Sequence, residues 1–256
     1  MKRNTRVMRI VTGFTVAAFW LLLWILLARV IDKALLLPYP WMVAKTLGKL
    51  CITLAFWENV LLTLLRILAG IVSALVCGTL LAILTSRSTT AYKLLYPLIT
   101  VIRATPVASF IILVWIWLGS GKLPVFICFL MVLPIVWAAV SDGIKALDPK
   151  LKQVCQVYRV PLGKRVRQFY IPSVLPYFLS ACKTSIGMGW KAGVAAEVLA
   201  VTPNSIGKQL YNSKIYLETS ELFAWTVVVI LLSLAIEKLT GYLILRLQKR
   251  RSHAED

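Results

Sequence analysis

LDPKLKQVCQVYRVPLGKRVRQFYIPSVLPY, residues 147–177, is a basic, proline-punctuated segment set between long apolar runs. It carries Lys150, Lys152, Arg159, Lys164, Arg165 and Arg167 against a single acid, Asp148. The Asp148 carboxylate suits a helix N-cap, and Pro149 suits the first helical position, where no backbone N–H is required. Leu151, Val154, Cys155 and Tyr158 then recur at i, i+3, i+4 and i+7 and form one apolar stripe, with Lys150, Lys152, Gln153 and Gln156 on the other side. Val160 precedes Pro161 and so avoids the α region, which ends this short amphipathic helix. A second short helix can start at Pro161 and run through Arg167, while Pro172 and Pro176 mark the return into apolar sequence. By its charges alone, such a segment could also lie on a bilayer with its lysines against anionic headgroups.

Outside this segment the chain reads as membrane. Of 256 residues, 59% are hydrophobic and 15% charged, and the mean hydropathy is +0.81, too apolar for a soluble domain of this size. Apolar runs near residues 10–31, 58–85, 92–118, 123–141, 173–201 and 222–245 are each long enough to cross a hydrocarbon layer of about 30 Å. Six transmembrane helices follow, and nothing alternates with the period of two that a membrane β-barrel demands. The net charge of +19 does not gather on a soluble face as nucleic-acid binding requires. It sorts by side of the membrane. Lys2, Arg3, Arg6, Arg9, Arg87, Lys93, the basic residues from Lys145 to Arg167, and Arg246, Lys249, Arg250 and Arg251 fall on one side. Lys33, Lys45, Lys49, Lys122, Lys208 and Lys214 fall on the other, so the positive-inside rule places both termini in the cytoplasm.

Enzymatic chemistry finds no foothold. The single histidine, His253, lies in the polar tail, so neither a histidine-based triad nor a zinc cluster can be assembled. The five cysteines form no C-x-x-C pair and read as small hydrophobes. The turn LGSGKLP lacks the earlier glycine and has Leu123 where a phosphate loop needs Ser or Thr, so no ATP site of the usual kind exists in this chain.

Several side chains are out of place in hydrocarbon. Arg66 lies about two turns inside Glu58 and is expected to snorkel to the outer headgroups. Arg103 and Pro106 put a charge and a helix breaker at one depth, the combination of a helix lining a path or of a packing kink with a paired arginine. The fifth run carries Lys183, Trp190, Lys191 and Glu197 among small residues that permit close helix contact. Its charges either line a translocation path or pair as Lys–Glu between helices. LLLPYPWMVAKTLGKL, residues 35–50, reads as an amphipathic segment on the outer surface.

The 147–177 segment resembles the cytoplasmic EAA loop of the membrane permeases of bacterial ATP-binding-cassette importers. That loop reads E-A-A, three residues, Gly, nine residues, I-x-L-P. Gln153, Val154 and Cys155 hold the first places, Arg159 the glycine, and Phe169, Ile171 and Pro172 the end. Only the final proline is strictly kept; the glycine permits a sharp turn between two helices, and an arginine there must turn by another route. From about Asn59 to Glu237, NVLLTLLRILAG, YPLITVIRATPVA, WIWLGSGKLP and GMGWKAGVAAEVLA are similar to the branch serving nitrate, sulfonate, taurine and related small molecules.

The resemblance implies an all-α integral membrane protein of MetI-like importer-permease architecture. It implies an N-terminal helix and outer segment over 1–57, a type-1 permease domain over 58–246, and a cytoplasmic basic tail over 247–256. The chain would work as a homodimer in the bacterial inner membrane, with an extracytoplasmic solute-binding protein and separate ATPase subunits that bind ATP and Mg, and with no cofactor or catalytic residue of its own. Contact with the ATPase would fall to a coupling helix and its flanks: Pro149, Leu151, Gln153, Val154, Cys155, Tyr158, Arg159, Gly163 and Pro172. The path would be lined from Arg103, Pro106, Trp190, Lys191 and Glu197. The residues themselves leave room for an ATP-independent carrier or channel for small anions, or for a scaffold whose loop binds lipid.

Overall fold

A computed structural model describes the backbone of residues 2–255 and the side chains of residues 8, 12–151 and 153–246. In chain order the helices are α1 (Lys2–Ile31), α2 (Pro40–Cys51), α3 (Leu54–Arg87), α4 (Thr89–Ala104), α5 (Val107–Lys145), α6 (Pro149–Val157), α7 (Leu162–Arg165), α8 (Ile171–Leu199), α9 (Ile206–Ile215) and α10 (Thr219–Glu255). Among the described residues no strand occurs. Four stretches are long and apolar enough to cross a membrane: Thr12–Ile31, Leu54–Arg87, Val107–Lys145 and Thr219–Arg246.

Local chemistry sets the boundaries. Thr53 caps α3, its hydroxyl accepting from the Phe56 N–H at 3.3 Å, and Ser88 caps α4 through the Ala91 N–H at 3.2 Å. Pro40 opens α2, as the sequence suggests. The run expected as one helix over 92–118 is instead broken. Thr105 and Pro106 are extended (ψ 131° and 134°), because the residue before a proline avoids the α region and Pro106 has no N–H to continue the ladder.

The second break lies inside α5. Gly119 takes φ +67° and ψ 169°, a conformation open to glycine and closed to residues with a Cβ. The chain reverses there. Ile111 and Val114 share one apolar cluster with Leu123 and Ile127, around Ala192, Ala196 and Ala200 of α8. In an unbroken helix Ile111 and Ile127 would lie about 24 Å apart.

The core is α3, the second part of α5, and α8. Lipid tails are as apolar as leucine, so these helices are held by close packing rather than by escape from water. Glycines set the approach. A Cβ on Gly193 would stand 2.6 Å from both Cys128 Sγ and Ile67, and one on Gly189 2.8 Å from Ile71. At the basic end, Trp137 Nε1 donates to Thr85 Oγ1 at 3.1 Å, Tyr92 stacks on Trp137 at 5.9 Å, and Lys145 Nζ lies 5.5 Å from the Tyr92 ring, tying α4 to α3 and α5. The helices α1 and α2 sit at the margin. Trp24 Nε1 donates to the Pro38 carbonyl at 3.1 Å, and the Thr219 hydroxyl donates to that of Leu35 at 2.6 Å.

Candidate functional site

The first candidate is the α6 loop. The Asp148 carboxylate accepts from the Lys150 N–H at 2.8 Å and so caps the helix, with Pro149 at its first turn. Its stripe is open. Leu151 and Val154 are 49% and 48% exposed, Tyr158 is 78% exposed, and Cys155 is half-buried. Gln153 is exposed as well.

The turn after α6 corrects one expectation. Arg159 finds no other route: it adopts the glycine-like left-handed conformation itself, at φ +48°. The Val160 N–H reaches back to the Cys155 carbonyl at 3.0 Å and the Arg159 N–H to Gln156 at 3.1 Å, the bonding of a helix closed by a left-handed residue. Arg165 offsets the strain by donating to the carbonyls of Cys155 at 3.1 Å and Val160 at 3.4 Å. A Cβ on Gly163 would meet nothing within 4 Å, so packing does not demand glycine there.

The second short helix ends sooner than its sequence suggests. After α7 the chain makes one wide π turn, Val166–Tyr170, and runs directly into α8. Pro172 lacks the N–H that would bond to Gln168, and widening the turn relieves its ring against that carbonyl. Pro172 itself is half-buried in the first turn of α8.

The path candidates do not converge on one point. Arg103 and Pro106 are exposed neighbours at the break between α4 and α5. Trp190 is 2% exposed, with its indole N–H unpartnered, and faces the core against α3. Lys191, 100° further round α8, is exposed. Glu197 is fully buried.

The surroundings of Glu197 form a clasp between α3, α8 and α9. Its Oε2 accepts from the Thr63 hydroxyl at 2.9 Å and from the Gly207 N–H at 3.3 Å, and its Oε1 lies 3.7 Å from Arg66 Nη1. Thr63 Oγ1 also accepts from the Ile206 N–H at 3.0 Å. The carboxylate therefore sits at the N-terminus of α9, where free N–H groups and the helix dipole favour negative charge. Arg66 does not snorkel outward: it donates to the carbonyls of Asn204 at 2.9 Å and Pro203 at 3.0 Å. Asn204 in turn donates to Glu58 at 3.2 Å. Among the described residues, Glu197 pairs with this arginine and with no lysine. The reading of the sequence missed Thr63 and Gly207 altogether. One signal was there to use: Arg66 and Glu197 are opposite charges inside two apolar runs.

Comparison with known proteins closes the matter of family. The sequence pattern of the family described as "Binding-protein-dependent transport system inner membrane component" matches residues 67–253, well over half of the chain. The chain is 24% identical over 229 residues to the taurine transport system permease protein TauC of Escherichia coli (strain K12), covering 87% of this chain and 83% of that one. It is 21% identical over 197 residues to the putative aliphatic sulfonates transport permease protein SsuC of Bacillus subtilis (strain 168), covering 77% and 71%. It is 24% identical over 189 residues to the nitrate import permease protein NrtB of Leptolyngbya laminosa, covering 73% and 67%. The chain belongs to the family of inner-membrane components of binding-protein-dependent transport systems, and is a membrane permease of the ATP-binding-cassette importers rather than an enzyme.

Proposed function

We propose that this permease works as a symmetric pair with six spans in each copy, imports a small solute such as a sulfonate, taurine or nitrate, and is driven through α6 by a separate ATPase. The observation that carries the reading is α6 itself: a capped helix, fixed at its base by Arg165, that leaves Leu151, Val154 and Tyr158 uncovered. An apolar stripe of this kind supplies contact area, and the surrounding cations supply orientation and association rate.

Six spans are supported by the two breaks. The spans are α1, α3, α4 with the first part of α5, the remainder of α5, α8, and α10. The helix α8 is about 44 Å long at 1.5 Å per residue and packs along α3 and α5. Residues 1–57 then add one helix and the outer segment to a permease domain over 58–246. The side chains of the tail, 247–256, lie outside those described. Both termini and α6 face the cytoplasm in this reading, in keeping with Arg87, Lys93, Lys145 and Arg167 at one end of the bundle. The three named relatives transport, by name, taurine, aliphatic sulfonates and nitrate, which supports a small solute that carries an anionic group.

In the working cycle, closure of the paired ATPases draws the two α6 helices together and rocks the spans between inward-facing and outward-facing states, with a binding protein delivering solute to the outer face. Val154→Asp puts a carboxylate in the exposed stripe. It should abolish co-purification with the ATPase and solute-stimulated ATP hydrolysis while leaving the unfolding temperature unchanged. Undiminished stimulation in that variant would overturn the reading.

A further inference from the structure

Lys183, Gly187 and Lys191 are spaced by four residues and share one face of α8 with the exposed Thr184 and Met188. Glu237 of α10 meets that face at the level of Gly187, midway between the two lysines: a Cβ on Gly187 would stand 3.2 Å from Glu237 Oε1. All three ionisable side chains are exposed on the protomer. Among the described residues, none of them has an ion-pair partner within 4.0 Å.

Gly187 lies about 18 Å from the Leu199 end of α8 and about 24 Å from the Ile171 end at 1.5 Å per residue, so the three charges sit near the middle of the helix. Charged side chains at such depth do not stand against lipid tails; they face a wet cavity or another polar surface. We propose that Lys183, Lys191 and Glu237 form an intramembrane binding site for a small monoanion, the acidic group of the solute. This rests on the reading of α8 and α10 as spans of a solute-importing permease.

Charge balance sets the ligand class. Two ammonium groups and one carboxylate leave the site at +1, and one negative charge neutralises it. A solute without an anionic group, or one bearing two negative charges, leaves uncompensated charge in a medium of low dielectric, where that is costly. Lysines bind as compact point charges without the two-pronged geometry of arginine, so the site selects charge over the shape of the oxyanion. Gly187 keeps room for Glu237 beside the lysines, since any larger residue would press on the carboxylate.

The test labels the face directly in the full chain, assembled with its ATPase in liposomes. Cys51, Cys77 and Cys182 are replaced by serine, Cys155 of α6 and the buried Cys128 are kept, their labelling being measured without a probe cysteine and subtracted, and Thr184→Cys or Met188→Cys supplies the probe. Modification by an anionic methanethiosulfonate reagent should outpace that by a cationic one about tenfold, as expected of a cavity that concentrates anions. Lys183→Gln and Lys191→Gln should each abolish the preference, Glu237→Gln should enlarge it, and millimolar methanesulfonate should slow labelling where sulfate and glycerol do not. Absence of labelling by either reagent at both positions, a preference for the cation, or equal protection by glycerol would overturn the site. Co-purification with the ATPase should be unchanged in every variant; it tests the role of α6 separately from the site.

Discussion

Replacing Glu197 by alanine removes the acceptor at the centre of the clasp. The Thr63 hydroxyl and the Gly207 N–H lose a carboxylate partner at 2.9 and 3.3 Å, and Arg66 loses its counter-charge at 3.7 Å. A hydrogen bond to a charged group contributes about 1.5–3 kcal/mol, and breaking a buried pair from one side costs about 3–5 kcal/mol. Arg66 is 20% exposed and keeps the carbonyls of Pro203 and Asn204, so the cost falls mainly on Thr63 and Gly207. The expected loss for Glu197→Ala is therefore about 3–5 kcal/mol. For Glu197→Gln, which keeps an acceptor oxygen of the same reach but no charge, it is about 1–2 kcal/mol. Thermal unfolding of the purified protein in detergent reads both, and the alanine variant should unfold on the order of 10 °C lower. A double-mutant cycle between Glu197→Ala and Thr63→Val should be strongly non-additive, because each change removes the same bond. If Glu197→Ala unfolds within a degree or two of the parent protein, the clasp does not hold α9 to the bundle and the reasoning fails.

Arg159→Gly should relieve the left-handed strain, worth about 1 kcal/mol, and slow hydrogen exchange over α6 with ATPase coupling intact; faster exchange would show that the arginine side chain matters more than its backbone. Gly193→Ala should cost about 1–3 kcal/mol through overpacking against Cys128 and Ile67, whereas Gly163→Ala, in open space, should leave the unfolding temperature within a degree. Equal effects at the two glycines would contradict the packing account.

The local rules were enough for most of the chain's vocabulary. Apolar runs long enough to span, the Asp148 cap, Pro149 at the first turn and the i, i+3, i+4, i+7 stripe of α6 are short-range matters, decided by residue type and spacing. The EAA-like spacing, together with the resemblance over Asn59 to Glu237, pointed to the family that the comparison shows. What the sequence did not disclose is long-range or depends on backbone sign. The run over 92–118 reads as one helix with a kink at Pro106, whereas Thr105 and Pro106 break it outright; the Gly119 reversal, by contrast, falls in LGSGKLP, where the sequence already marks a turn. Arg159 taking φ +48° was hidden because an arginine advertises no left-handed turn. Glu197 read as a path residue or a lysine's partner. Only the fold brings it to Thr63, 134 positions away, and to the start of α9, since a buried carboxylate goes where donors converge and that convergence belongs to three helices at once.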